Sequence, residues 1–522
     1  MFGIKRHAEL ERETRFPRLL RNVITNWAAS FSSLLIAFFL SPFVVHHLGA
    51  LAYGVWILIM SVTGYLGLLD LGIRGTVTRY IAKFHTQAKH EEASRLVSTA
   101  LVIFTLLGVL AFGTCAVIAS IAPRLFHVPE SSKPSFQAVL ILAGATIACT
   151  LISNVFGAIV VGLQRFEVAN AIDVSSNIVR AFAILLALSH GKGLIALAII
   201  HLAVSAAAGL IYAWMSWRLY PQLSVRYILS DRANARLIIS FGSTLFVLQA
   251  SSYLILYTDS VVISAFLPVS MVTFFSIAGN LVASCRSFIS GISFTIPPLA
   301  SSLDAGGNRD KIRLIGLMGP RYATMLVLPI VITFMLRGRT FIGLWMGPEY
   351  ADTSSKVLQV LSVALFFSAA NQVSTAMMWG INKHRPVALA NIAEGVLNLA
   401  LSIGFVQVMG IVGVACGTAF PTLATSLVFW PLYMRRVFEI PFSQYVLSTW
   451  GRPAVAAVPF ALMSFIIDKM WDAPTLWFYF FQVLLTLPVA ALPFWFVCLS
   501  QTERRSYLRR IFSPPVRVGE PA

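Results

Sequence analysis

LVSTALVIFTLLGVLAFGTCAVIASIA (96–122), FQAVLILAGATIACTLISNVFGAIVVGLQ (136–164) and LWFYFFQVLLTLPVAALPFWFVCLS (476–500) contain no Asp, Glu, Lys or Arg. Each is longer than the roughly 20 residues a helix needs to cross about 30 Å of hydrocarbon, so these three stretches alone require spanning helices. The rest of the chain agrees with them. Of 522 residues, 57% are hydrophobic and 11% charged, with a mean hydropathy of +0.79, whereas a soluble domain is about a quarter charged. Too little polar surface remains to cover the chain in water, and lipid is its solvent.

The hydropathy pattern predicts an all-α polytopic membrane protein of about 14 transmembrane helices. The spans lie near 23–45, 51–72, 96–122, 136–161, 171–189, 193–214, 237–257, 270–298, 319–336, 357–380, 387–409, 411–433, 453–468 and 476–500. The opening MFGIKRHAELERETRFPRLL (1–20) has mixed charge and no apolar core or small-residue cleavage site, so it reads as a basic cytoplasmic arm and not as a cleaved signal. With that arm inside, 30 of the 39 Lys and Arg fall on the cytoplasmic side and seven outside, including Arg337 and Arg339. Such a bias sets the orientation and puts both termini in the cytoplasm. The net charge of +18 is thereby accounted for by topology and anionic lipid, with no nucleic-acid partner expected. Cys115, Cys149, Cys285, Cys416 and Cys498 all sit in apolar segments, without metal-ligand spacing.

No connection exceeds about 25 residues, and none carries a strand pattern, so function is expected within or between the helices. An internal repeat is visible. GLQRFEVANAIDVSSNIVRAFAILLALSHGKG (162–193) aligns with GINKHRPVALANIAEGVLNLALSIGFVQVMGIVG (380–413), matching Asn170 with Asn391, Asp173 with Glu394 and Asn177 with Asn398 at one offset of 221. Two similar six-helix bundles are therefore expected, at 21–214 and 237–433, joined by a cytoplasmic linker at 215–236. An even helix number relates them by a pseudo-twofold along the membrane normal. Two additional helices (434–500) and a basic cytoplasmic tail (501–522) fall outside the repeat, as an appendix to a twelve-helix core.

The run LSPFVVHHLGALAYGVWILIMSVTGYLGLLDLGIRGTVTRYIA (40–82), with its proline-ended first helix, LGxxxYGxW and GYxxxLDLG, resembles the N-terminal signature of polysaccharide flippases. YTDSVVISAFLP (257–268), FSIAGNLV (275–282) and a helix ending in Pro297 and Pro298 are similar to the second half of the same group. The family is the O-antigen or exopolysaccharide flippase branch of the multidrug, oligosaccharidyl-lipid and polysaccharide exporter superfamily. What the resemblance implies is a non-enzymatic carrier in the bacterial inner membrane, moving undecaprenyl-diphosphate-linked oligosaccharide from the cytoplasmic to the periplasmic leaflet, alongside polysaccharide assembly proteins. It implies no cofactor beyond H+ or Na+ as a coupling ion.

Such a substrate needs cations for its diphosphate, a wet space for its glycan and lipid for its tail. Intramembrane charges are the candidates, since each costs about 2.5–3.5 kcal/mol at mid-helix and faces an interior. Arg286 and Arg180, near the middles of their spans, read as diphosphate ligands or as partners of structural ion pairs; Asp173, two turns before Arg180, is beyond its direct reach. Asp173 and Glu394 read as helix N-terminal acids or, for Glu394 above all, as coupling or gating groups. Asp259 is a coupling or gate candidate if the seventh span continues to about 266 and buries it, and a boundary acid otherwise. Asp70, Arg74 and Arg79 offer a cytoplasmic gate salt bridge or plain topological anchoring. Trp56, Tyr65, Trp214, Trp217, Trp345, Trp379 and Trp430 lie mostly near span ends and read as interfacial anchors.

Two other functions compete. A cation-coupled multidrug exporter of the same superfamily would want an acidic, apolar lumen, against which Arg180 and Arg286 argue. A membrane-embedded glycan polymerase or ligase would want a large outer loop, and the longest, PRLFHVPESSKPS (123–135) and LWMGPEYADTSSK (344–356), are short. No GxxxxGK, HExxH or GxSxG motif is present.

Overall fold

Within hydrocarbon every backbone N–H and C=O must find its partner inside the chain, and an α-helix does this locally. The computed structural model obeys that constraint: it describes residues 2–125, 129–226, 229–293, 295–501 and 503–505, and these form helices without strands. Side chains of 2–30, 123–125, 131, 241, 243–245, 247–252 and 292, and so those of the 1–20 arm, lie outside the described set, as does most of the expected tail (506–522).

Seventeen α-helices follow one another among the described residues. They are α1 (Phe2–Leu66), α2 (Ile73–Thr86), α3 (His90–Leu125), α4 (Lys133–Gly162), α5 (Phe166–Ser189), α6 (Leu194–Leu219), α7 (Arg232–Phe266), α8 (Ser270–Ser293) and α9 (Ile296–Ala305). Next come α10 (Arg309–Trp345), α11 (Pro348–Gly380), α12 (Arg385–Ala424), α13 (Trp430–Phe438), α14 (Phe442–Val446), α15 (Arg452–Ala456), α16 (Val458–Met470) and α17 (Leu476–Pro493). Eleven described segments are long and apolar enough to cross a membrane. Two of them break internally, at Gly49 (φ 76°) in α1 and at Gly410 (φ 59°) in α12, conformations that a residue with a Cβ avoids. Counting both halves of each, and the apolar end of α7 (Tyr253–Phe266), gives the fourteen spans expected. At Gly410 the chain doubles back: Asn398 Nδ2 donates to Thr418 Oγ1 at 2.9 Å, and a Cβ at Gly417 would lie 2.6 Å from the Ser402 amide nitrogen. Pro297 and Pro298 do not end the eighth helix but open α9, in the first turn where a missing N–H costs nothing.

The chain divides into two compact units, Met1–Ser276 and Ile277–Ala522. The division differs from the expected linker at 215–236, because α7 packs along α1, α2 and α3. The stretch after Tyr220 is itself stitched to α3: the backbone N–H groups of Ser224, Arg226 and Asp231 donate to the hydroxyls of Ser94, Ser98 and Thr99 at 3.0–3.1 Å. The first unit's core joins α2 to α7 through residues such as Val77, Val97, Phe104, Ile159, Tyr220 and Ile238.

In the second unit α16 and α17 are not an appendix. Arg337, expected outside, is 1% exposed, because α10 continues to Trp345. Its Nε donates to Asp468 Oδ1 of α16 at 3.3 Å, its Nη2 donates to Gln482 Oε1 of α17, and its guanidinium carbon lies 4.6 Å from the Tyr479 ring centroid. Earlier in α10, buried Arg321 pairs with Glu503, which also accepts from the Tyr322 hydroxyl at 3.2 Å. Burial raises the proton affinity of the Glu503 carboxyl, but the Ser500 N–H and hydroxyl and the Arg321 charge outweigh it and hold the group below the usual carboxylate range. This pair's contribution is therefore present above the ordinary carboxylate pKa and is lost only as pH falls through the depressed one.

Removing one partner of a buried pair strands a charge, at a cost of about 3–5 kcal/mol. Asp468→Ala should thus lower the melting midpoint of the purified protein by several degrees, whereas Arg339→Ala, which breaks an exposed pair with Asp352, should leave it unchanged. Equal midpoints for the two variants in a thermal-unfolding assay would refute the clamp.

Candidate functional site

Three polar residues of α5 fall on one side of the helix. Asp173, Asn177 and Arg180 are spaced i, i+4, i+7, which at 3.6 residues per turn stacks them within one narrow stripe. The opposite side carries Ile178, Val179 and Phe182, each more than half exposed, as suits contact with lipid. Phe166–Ser189 is long enough to cross the hydrocarbon, and Arg180 stands about 21 Å along it from Phe166 at 1.5 Å per residue. Asp173 is exposed and Arg180 half-buried within their unit. Asp173 stands about 10 Å along the helix from Phe166, and an open carboxylate within a span favours water over lipid.

Hydrogen bonds fix the stripe. The Tyr212 hydroxyl of α6 bonds to Asp173 Oδ1 at 2.8 Å and to Ala169 O at 3.1 Å. Arg180 Nη1 donates to Asn177 Oδ1 at 2.9 Å, and Asn177 Nδ2 donates to Ser33 Oγ of α1 at 3.2 Å. Asp173 and Arg180 act on each other electrostatically through space, with Asn177 as the direct partner of the guanidinium. His201 of α6 has its ring edge-on to Trp56 at 5.0 Å, and the Arg180 charge acts on it through space.

The repeat reproduces part of this arrangement in the second unit. Half-buried Glu394 accepts from the Thr422 hydroxyl at 2.7 Å, as Asp173 accepts from Tyr212, so each acid is tied to the following helical segment. Arg286 lies in α8, half-buried; one turn on, Ser290 bonds to its carbonyl at 3.0 Å and to Gln372 Oε1 at 2.9 Å.

Asp259 is 7% exposed, because α7 continues to Phe266. Its neighbour Thr258 meets the Tyr65 hydroxyl of α1 at 2.6 Å, and the Asp259 charge acts on that same tyrosine. Asp70 accepts the backbone N–H of Arg74 at 3.1 Å and so caps the first turn of α2, while the side chains of Arg74 and Arg79 are exposed. Among the aromatics, Trp214, Trp217 and Trp379 are exposed as interfacial anchors would be. Trp56, Trp345 and Trp430 are buried instead, Trp56 against His201. Sequence reading passed over His201, Tyr212 and Thr422, whose residue types are ordinary in a helix; an acid of the repeat with a hydroxyl one helix away was the only available signal.

Comparison with known proteins matches this architecture. The family described as Polysaccharide biosynthesis protein matches residues 19–303. A putative O-antigen transporter of Shigella flexneri is 22% identical over 436 residues, covering 80% of this chain and 98% of that one. EpsK, an uncharacterized membrane protein of Bacillus subtilis, is 22% identical over 427 residues, covering 79% of this chain and 83% of that one. Among solved structures, lipid II flippase MurJ in an inward closed conformation shares the fold with a TM-score of 0.73 at 14% identity, over 94% of this chain and 99% of that one. An inward-facing MATE multidrug resistance transporter of the MOP superfamily gives 0.65 at 18% identity, over 80% and 98%. The relatives whose names state an activity are transporters and flippases, not enzymes.

If the α5 stripe borders water, a cysteine placed at Asp173 in a cysteine-free background should react with a membrane-impermeant, water-soluble thiol reagent at least tenfold faster than one placed at Phe182, since thiolate forms only where water reaches. Equal, slow labelling at both positions would mean that the stripe is dry.

Proposed function

This chain belongs to the polysaccharide biosynthesis protein family, and from that premise we propose that it moves an undecaprenyl-diphosphate-linked oligosaccharide from the cytoplasmic to the periplasmic leaflet of a bacterial inner membrane by alternating access. The observation that carries the reading is the Asp173–Asn177–Arg180 stripe, a polar, cation-bearing face in a multi-pass protein whose described residues hold no strand-built domain. Diphosphate oxygens suit a guanidinium, which offers paired donors and keeps its charge. Arg180 and Arg286 are the proposed diphosphate ligands.

Coupling falls to the carboxylates. Glu394, Asp259 and Asp173 are the candidate sites for H+ or Na+, and Asp70 with Arg74 the candidate cytoplasmic gate. Asp173 and Glu394 already accept one hydroxyl hydrogen bond each, which leaves an oxygen for an ion or a proton. The distribution of Lys and Arg supports cytoplasmic termini, so the glycan would be loaded on the side where it is assembled. The names of the Shigella flexneri relative and of MurJ support a lipid-borne cargo, and the dependence on partner assembly proteins belongs to the same proposal.

A leaflet-translocation assay in proteoliposomes with a fluorescent polyprenyl-diphosphate oligosaccharide tests it. Wild type should translocate, and folded Arg180→Ala and Arg286→Ala should each lose at least tenfold in rate, about 1.4 kcal/mol of lost phosphate contact. Absence of wild-type translocation, together with proton-driven efflux of a cationic dye, would replace the flippase with a multidrug exporter.

A further inference from the structure

The turn before α12 and the short helix α13 share one apolar core, in which Ile381 and Val387 pack with Trp430 and Met434. The Tyr433 hydroxyl donates to the Lys383 carbonyl at 2.7 Å and fixes the two segments side by side. With those faces buried, Lys383, Arg385, Arg435 and Arg436 are all exposed. Arg313 of α10 joins them, its Nη2 donating to the Glu439 carbonyl just past α13 at 3.4 Å. Between Ile381 and Ala393, and again between Thr425 and Ser443, Glu439 is the only Asp or Glu. Among the described residues neither it nor any of the five cations enters an ion pair.

The first copy of the repeat offers an internal comparison. Gln164 (φ 59°) and Asn382 (φ 57°) hold the same place in the same left-handed turn, and Arg165 matches Lys383 at the offset of 218 that pairs Gly162 with Gly380. In the first copy the chain supplies its own anion, since Arg165 pairs at 3.2 Å with Glu167 in the first turn of α5. In the second copy His384, Arg385 and Pro386 lengthen the turn, and the offset of 221 beyond them sets Ala388 against Glu167. Helix α12 accordingly opens with no acid in its first turn. The second copy has gained a cation and lost the countercharge.

What surrounds these cations has the form of a lipid. Exposed Trp379, at the end of α11, lies flat on His384 with ring centroids 4.8 Å apart, as suits an aromatic at head-group level. Toward the membrane interior, Leu389 follows Arg385 by one turn, while Val428 and Leu432 precede Arg436 by two turns and one; each is at least half exposed. Cations above open apolar side chains match an amphiphile with a phosphate at one end and acyl chains at the other. A soluble anion would leave the apolar part unused.

We propose that this rim binds an anionic phospholipid of the cytoplasmic leaflet, its phosphate held by Lys383, Arg385 and Arg436, so that lipid supplies the countercharge that Glu167 supplies in the first copy. Arg313 and Arg435 add to the field. The leaflet follows from the distribution of Lys and Arg along the chain. The site goes beyond the carrier reading and stands whatever the cargo is.

Native mass spectrometry of the delipidated full-length protein tests it, with phosphatidylglycerol and phosphatidylcholine of equal chain length as the probes. Each cation near an anionic head group is worth about fivefold. Wild type should therefore hold phosphatidylglycerol at least about tenfold more tightly, and the preference should shrink as salt rises. The triple variant Lys383→Gln, Arg385→Gln, Arg436→Gln should lose at least about fivefold of it. A second triple variant, Lys83→Gln, Lys89→Gln, Arg95→Gln, takes the same charge from exposed positions around the α2–α3 turn and should keep it. No preference in wild type, or equal losses in the two variants, overturns the site and leaves only diffuse positive charge. Displacement of phosphatidylglycerol by equimolar farnesyl-diphosphate-linked N-acetylglucosamine overturns it too, and assigns the rim to the cargo. If the first triple variant does not fold, Arg385→Gln and Arg436→Gln, each read against Lys83→Gln, decide.

Discussion

Hydrocarbon offers neither hydrogen bonds nor counter-ions, so every polar group of a spanning helix must be satisfied by the protein or by water that the protein admits. Ordinary hydroxyls meet the demand locally: Thr63, Thr105 and Thr146 each return a hydrogen bond to the carbonyl four residues earlier, at 2.7–2.9 Å. Among the described residues, the two breaks inside α1 and α12 fall on glycines. Gly49 and Gly410 absorb positive φ values, and each lets one long helical stretch serve as two spans.

The same demand sorts the arginines into two kinds. Arg337 and Arg321 are wrapped, each facing an acid and an aromatic ring, and both are less than a tenth exposed. Charges so enclosed contribute architecture: they bind α10 to α16, α17 and the segment beyond. Arg180 is treated differently, half-buried, with one amide acceptor and an acid at longer range. A cation left at mid-membrane with spare donors is costly to keep, and the cost is understandable where an anion visits.

The spans were legible in the sequence because their signal is one-dimensional. Twenty apolar residues identify a helix whatever it touches, and the repeat of Asp173 and Glu394 could be read from spacing alone. Partnership is another matter. Arg337 looked like an outer-loop charge because its partners, Asp468 and Gln482, stand 131 and 145 residues away. Asp70 and Arg74 suggested a gate salt bridge because opposite charges stand four apart, and the contact that the structure adds is the backbone N–H of Arg74 donating to Asp70 Oδ1. Trp56 looked like an interfacial anchor until its neighbour, His201, was in view. Hydropathy reports depth, and a long-range partner leaves no trace in it.

Repetition gives the last step. Both repeat segments keep an acid tied to a hydroxyl of the next helical segment. What they keep in common is best explained by the shared task of holding two helical segments together in lipid, where a hydroxyl–carboxylate bond is worth more than it would be in water. The copies part at the next turn, Arg180 against Leu401. Leucine at that depth costs nothing and guanidinium costs several kcal/mol unless it has work to do. Arg180 has no counterpart at Leu401, so the packing that the two repeat segments share does not account for it, and under the proposed function the cargo does.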